Sequence, residues 1–203
     1  MNQSRLIFIA LALTVAAGLG GLVFLSGQKP QVQPVVSTGT AQVGGAFTLT
    51  DQNGQTRNEA LLKDKWTLVF FGFTGCPDVC PTNLTAMTRV QTILGDSGKD
   101  VQYLFVSIDP ERDTPEALKL YLDNQAFPKG IIGLTGTPEQ VKAIAKAYRI
   151  FYAKNGEGSD YLMDHTSATY LMDPDGKFER ILPHGMAPDD VADQIRKAKK
   201  ARS

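Results

Sequence analysis

Two cysteines and two histidines are the residues of this 203-residue chain with the widest chemical reach. Cys76 and Cys80 stand four positions apart in Cys76-Pro77-Asp78-Val79-Cys80-Pro81, where a long apolar run gives way to a helical pattern. At such a junction unpaired N–H groups and the positive end of the helix dipole favour anions, so a thiol there is expected to ionise more readily. Residues i and i+4 share a helix face, so the two sulfurs could converge on one ion or, with a suitable turn, close a disulfide. Pro77 and Pro81 restrict the backbone on both sides. A disulfide scaffold would use more cysteines and close larger loops. Inert core thiols would need neither the junction nor the pairing. Metal binding and thiol redox chemistry both remain open on spacing alone.

A third ligand would favour metal. Asp164-His165-Thr166 precedes an apolar strand pattern, and the sheet arrangement inferred below puts this turn beside the end of the Trp66 to Phe73 run, with His165 facing the cysteines. Two thiolates and an imidazole suit copper, Cu(I) above all, and Cu(II) with a further ligand. Zinc is the alternative, but it ordinarily takes four ligands, and no other Cys or His lies close in sequence. His184, in Leu182-Pro183-His184-Gly185-Met186, could bind copper with its neighbour Met186, and reads more simply as a solvated loop residue. Asp78 and Asp164 flank the candidate ligands, where they would either orient them or cap turns.

The elements that would position these residues alternate along the chain. Trp66 to Phe73 reads as a strand buried on both faces and delivers the chain to Thr74-Gly75 and the first cysteine. Leu84, Met87, Val90, Gln91 and Leu94 carry a helical period that Gly95 ends. Val101 to Ile108 is a second buried strand. Thr114-Pro115-Glu116 and Thr137-Pro138-Glu139 each supply an N-cap, a proline at the first helical position and an acid in the first turn. They predict helices to about Asn124 and Tyr148, with the short apolar Ile131 to Leu134 between them. Phe47 to Thr50 and Asp51-Gln52-Asn53-Gly54 predict a hairpin, as do Phe151 to Met163 and the pair flanking Asp173-Pro174-Asp175-Gly176. A last helix covers Pro188 to Lys200. The whole predicts an α/β sandwich with a mixed central sheet over 46–203.

Leu6 to Gln28 is an uncharged, mostly apolar stretch of 23 residues. As a helix it would span roughly 35 Å against a hydrocarbon core of about 30 Å. Thr14-Val15-Ala16-Ala17 resembles a signal-peptidase site, but the apolar run continues through Leu25, longer than a signal peptide needs. Residues 1–28 are therefore read as one uncleaved transmembrane helix and 29–45, rich in Pro, Gln and Thr, as an extended linker. Arg5 before the span orients the domain to the exported side. Lys+Arg and Asp+Glu number 21 each, which gives no basic face for nucleic acid. Arg196, Lys197, Lys199, Lys200 and Arg202 make a basic end that complements the last helix dipole, with membrane-surface contact as the sharper alternative.

Taken together, Phe71-Gly72-Phe73-Thr74-Gly75-Cys76-Pro77-Asp78-Val79-Cys80-Pro81, Ser107-Ile108-Asp109-Pro110 with Arg112-Asp113-Thr114-Pro115, and Asp164-His165-Thr166 before Tyr170-Leu171 resemble the Sco/SenC family of copper chaperones for cytochrome c oxidase assembly. The resemblance covers about Ala46 to Ala198. It implies a thioredoxin-like fold that presents one copper ion on Cys76, Cys80 and His165. It also implies delivery of that copper to the binuclear site of oxidase subunit II, or reduction of the cysteines there, from a domain held on the periplasmic face of the inner membrane. Thioredoxin relatives usually carry a cis-proline where Ser167 stands here, and family members often have a bulkier residue at Gly75. A metallochaperone and a thiol-disulfide oxidoreductase using Cys76 and Cys80 are the two main readings. A peroxidase is the third and weakest, because the arginine nearest the cysteines in sequence is the distant Arg89.

Overall fold

In the computed structural model of the chain, residues 43–202 are described. The expected anchor, 1–28, and most of the linker lie outside them. Among the described residues no helix is long and apolar enough to cross a membrane.

The two long apolar runs become the centre of the sheet. Strands β3 (Trp66–Gly72) and β4 (Val101–Ser107) are buried at every position and run parallel from Trp66↔Val101 to Gly72↔Ser107. Parallel neighbours need a crossover, which α1 (Val79–Leu94) supplies, with Leu84, Met87, Val90 and Leu94 on its buried face. A second crossover, α2 (Pro115–Leu122), leads from β4 to β5 (Ile132–Thr135), again parallel. Both predicted caps form: Thr114 Oγ1 accepts from Ala117 N–H, and Thr137 makes a full capping box with Gln140 at the start of α3 (Pro138–Ala147). The hairpin β1 (Thr48–Asp51) and β2 (Thr56–Asn58) adds antiparallel to β5, and β8 (Ala168–Met172) with β9 (Phe178–Pro183) adds antiparallel to β3. The order β2-β1-β5-β4-β3-β8-β9 is the mixed sheet expected. The closing helix, α4 (Pro188–Arg202), packs on α1. Its basic end is tied to the body of the domain, Lys199 to Asp100 and Arg202 to Asp173 and Asp175, so these cations serve the fold.

The predicted pair of strands after Phe151 differs from expectation in one respect that matters. The strands β6 (Tyr152–Asn155) and β7 (Leu162–His165) pair only with each other and never join the main sheet. His165, expected in a turn, is the last residue of β7, opposite Tyr152. Two 3-10 turns, Glu59–Leu62 and Gly95–Gly98, had no readable signal.

Candidate metal centre

Strand β3 ends at Gly72, which is glycine for a steric reason. A Cβ there would lie 2.8 Å from Cys80 Sγ and 2.9 Å from Phe105 Cε2, so the missing methyl is the space the sulfur occupies. The chain then turns, with Cys76 N–H donating to the Phe73 carbonyl at 3.2 Å. A buried carboxylate fixes this turn. Asp113 accepts from Thr74 N–H at 3.1 Å, from Thr74 Oγ1 at 2.6 Å and from Ser107 Oγ at 2.6 Å. Burial raises the Asp113 carboxyl above its usual range, the Ser107 and Thr74 bonds oppose that, and neighbouring Asp109 adds to it.

The two thiols are free and unlike one another. Cys76 is half-buried before the helix, and its Sγ accepts the Cys80 N–H at 3.3 Å. Cys80, in the first turn of α1, is fully buried. Its thiol is pushed well above the ordinary range, chiefly by burial, with Phe73 backbone hydrogen bonding opposing and Cys76 and Asp113 reinforcing. For Cys80, burial in the aromatic core works against the ionisation that a helix N-terminus favours.

His165 meets Cys80 across this core. Its ring stands edge-on to Phe70 and Phe73, at centroid separations of 6.3 and 6.0 Å, and Nε2 lies 4.0 Å from Cys80 Sγ. At 3.0 Å from the Thr166 carbonyl, Nδ1 has only an acceptor before it and must carry the proton. The lone pair is therefore on Nε2 and points to the thiol. Burial holds the imidazole below its usual 6.5, with the Thr166 carbonyl and Asp164 pulling the other way. A sulfur and a nitrogen 4.0 Å apart fit one ion between them, since metal–sulfur and metal–nitrogen bonds run about 2.3 and 2.0 Å.

The fold thus brings Cys80 and His165 side by side and places Cys76 against the Cys80 amide. Among the described residues no three Cys, His, Asp or Glu side chains stand together as a complete ion site. Asp78 and Asp164 are exposed and bond elsewhere, to Thr82 Oγ1 and Asn155 Nδ2, so the tie on the ring is the Thr166 backbone instead. His184 is exposed in the β9–α4 turn. No peptide bond among the described residues is cis, and Ser167 Oγ donates to the His165 carbonyl at 3.4 Å.

Sequence reading missed Arg112. The guanidinium lies against Gly75, where a Cβ would meet Nη2 at 3.5 Å, an ordinary contact. A side chain at Gly75 is therefore tolerated. Arg112 Nε donates to Asp109 at 2.5 Å and Nη1 to the Ser159 and Tyr161 carbonyls, while the buried Nη2 on the cysteine-loop side has no hydrogen-bond partner. The motif Asp109 to Thr114 carried the only signal, and nothing in it said which loop it would reach.

The SCO1/SenC family model matches residues 35–200. The chain belongs to the SCO1/SenC family. A "SCO2-like protein" of Rickettsia felis is 37% identical over 202 residues, covering 96% of this chain and 98% of its own length. Among solved structures, Arabidopsis thaliana ScoI with copper bound superposes at a TM-score of 0.73 with 39% identity, covering 78% of this chain and 99% of that one. BsSco, described as having a disulfide switch and as a member of the Sco family of cytochrome c oxidase assembly proteins, matches at a TM-score of 0.62 and 30% identity over 76% of this chain and 91% of its own. The fold is accordingly the thioredoxin-like α/β fold of Sco proteins, some of which have been crystallised with copper.

Proposed function

We propose that this Sco-family chain is a copper metallochaperone that takes one copper on the Cys76 and Cys80 thiolates and the His165 imidazole. Its acceptor is the binuclear copper site of cytochrome c oxidase subunit II. The observation that carries this reading is the His165 ring itself, held as one tautomer with its Nε2 lone pair 4.0 Å from Cys80 Sγ. A plain dithiol reductase has no use for that arrangement. Two soft thiolates and a borderline imidazole favour Cu(I) and admit Cu(II). Uptake displaces the Cys80 thiol proton and exchanges the Cys80 amide at Cys76 Sγ for the metal. Delivery is ligand exchange, begun at the more exposed Cys76. The copper-bound Arabidopsis relative supports the cargo. We assign residues 1–28 as the single membrane anchor, 29–45 as the tether and 46–203 as the domain on the periplasmic side of the inner membrane. Protection of the domain from protease added to spheroplasts would refute that placement.

Anaerobic titration of the reduced protein with Cu(I) and with Cu(II) tests the ligand set. One copper per chain is expected, with two sulfurs and one imidazole by X-ray absorption. Equal affinity in His165→Ala would end the three-ligand reading.

The unequal thiols favour a second role at the same residues. The Cys76 thiolate attacks an acceptor disulfide, forming a mixed disulfide and releasing one acceptor thiolate. Cys80, once deprotonated, then attacks Cys76 Sγ, releasing the second acceptor thiolate and leaving a Cys76–Cys80 disulfide. Two electrons pass to the acceptor, and an oxidised pair cannot bind copper as thiolates. Full reduction of an oxidised acceptor peptide by His165→Ala, with no copper uptake by wild type, would make this the main function.

A further inference from the structure

His165 reaches the cysteines on a hairpin that has no strand partner outside itself. A lone two-stranded hairpin is marginal in water; Tyr152 and Met163 pack it on the core, and polar contacts fix its position. At its base Thr166 N–H donates to the Phe151 carbonyl and Phe151 N–H to Thr166 Oγ1, bonds that stay within the hairpin's own stem. The tip is different. Arg112, from the loop between β4 and α2, donates from Nη1 to the Ser159 carbonyl at 3.2 Å and to the Tyr161 carbonyl at 2.9 Å. Its Cζ lies 3.7 Å from the centroid of the buried Tyr161 ring. Asp109 holds both partners, accepting from Arg112 Nε at 2.5 Å and from Tyr161 Oη at 2.6 Å.

The same guanidinium also faces the cysteine loop. Its Cζ is 5.9 Å from the Phe73 ring, the ring that borders His165, and Nη2 lies against Gly75. The next residue, Asp113, holds Thr74. One short loop thus grips the cysteine turn with one residue and the histidine hairpin with its neighbour.

We propose that Arg112 is a positioning residue that docks the β6–β7 hairpin and so sets His165 at Cys80. The planar fork is what suits it to the task, because it spans a carboxylate, two carbonyls and a ring face at once. A lysine keeps the charge but cannot make all of these contacts. The inference rests on the proposed ligand role of His165 only for its copper consequence.

The test uses the reduced, metal-free full-length protein. Diethyl pyrocarbonate modifies exposed histidines, and exposed His184 provides an internal reference in the same chain. In Arg112→Met the His165 rate relative to His184 should rise severalfold, and amide exchange should quicken across Leu162–His165 while Val79–Leu94 keeps its protection. Arg112→Lys should behave like Arg112→Met, and Tyr161→Phe should show a smaller change. Copper affinity should fall about tenfold in Arg112→Met, the scale of losing a group that orients a ligand. An unchanged His165-to-His184 ratio in Arg112→Met overturns the proposal. So does equal loss of protection in α1, which would make Arg112 a general stabiliser, and so does full rescue by Arg112→Lys, which would make charge the operative property. Should His165→Ala bind copper as wild type does, the ligand reading fails, and the modification ratio still decides the clamp.

Discussion

The cysteine turn and the histidine hairpin face each other across a few ångströms, yet they are held by different kinds of force. The turn is continuous with the central strand, its sulfur fills a gap left by Gly72, and its backbone is bonded to a buried carboxylate. The hairpin joins no strand of the main sheet and is held by side chains: Tyr152 and Met163 on the core, the buried Tyr161–Asp109 bond, the Arg112 guanidinium and a Lys154–Glu111 pair at the surface. Packing and buried hydrogen bonds are lost only with the fold, whereas cation–π and surface ionic contacts are individually small. Cys80 is therefore built into the core, whereas His165 rests on Phe70 and Phe73 from a hairpin that is held more by side-chain contacts.

The contrast breaks most severely at Asp113. Asp113→Ala strands Thr74 N–H and Ser107 Oγ, and should cost about 3 kcal/mol in urea unfolding; a loss under about 1 kcal/mol would mean the cysteine turn is no better anchored than the hairpin. Gly72→Ala should cost about 2 kcal/mol by overpacking, and adding Cys80→Ala should recover part of it, a non-additivity that a double-mutant cycle reads directly. Next comes pH. Because burial raises the Cys80 thiol above its ordinary range, copper uptake must expel its proton, so apparent affinity should rise at least about tenfold per pH unit between pH 6 and 8, the contribution of that one proton. A flat profile in competition titrations would show that Cys80 is not a thiolate ligand. The smallest effect belongs to the hairpin: Lys154→Ala removes the Glu111 pair and the ammonium over the Tyr161 ring and should cost about 1 kcal/mol at most, visible as faster exchange in Leu162–His165 with the unfolding midpoint little moved.

The same contrast governs what the sequence revealed. The central strands were legible because burial on both faces writes an unbroken apolar run, as in Trp66–Gly72. The two middle helices were legible because Thr-Pro-Glu states a cap, a fixed φ and a favourable charge in three letters. Cys76 and Cys80 announced themselves by type and spacing. His165 rested on an inferred sheet order and on the family resemblance, and the ladder puts it on a strand where a turn was expected. Arg112 could not be found by pattern, since its partners Ser159 and Tyr161 lie 47 and 49 residues away and offer only backbone carbonyls to its fork. The raised Cys80 thiol was likewise hidden, because a local rule about helix ends carries no information about the aromatic core closing over it.

Gly72 and Cys80 share one volume, eight residues apart in the chain and 2.8 Å apart in the space a methyl would need. That couples the two positions: with the sulfur in place a methyl at the end of the strand has no room, and a smaller group at the cysteine would relieve one of its two closest contacts, leaving that with Phe105.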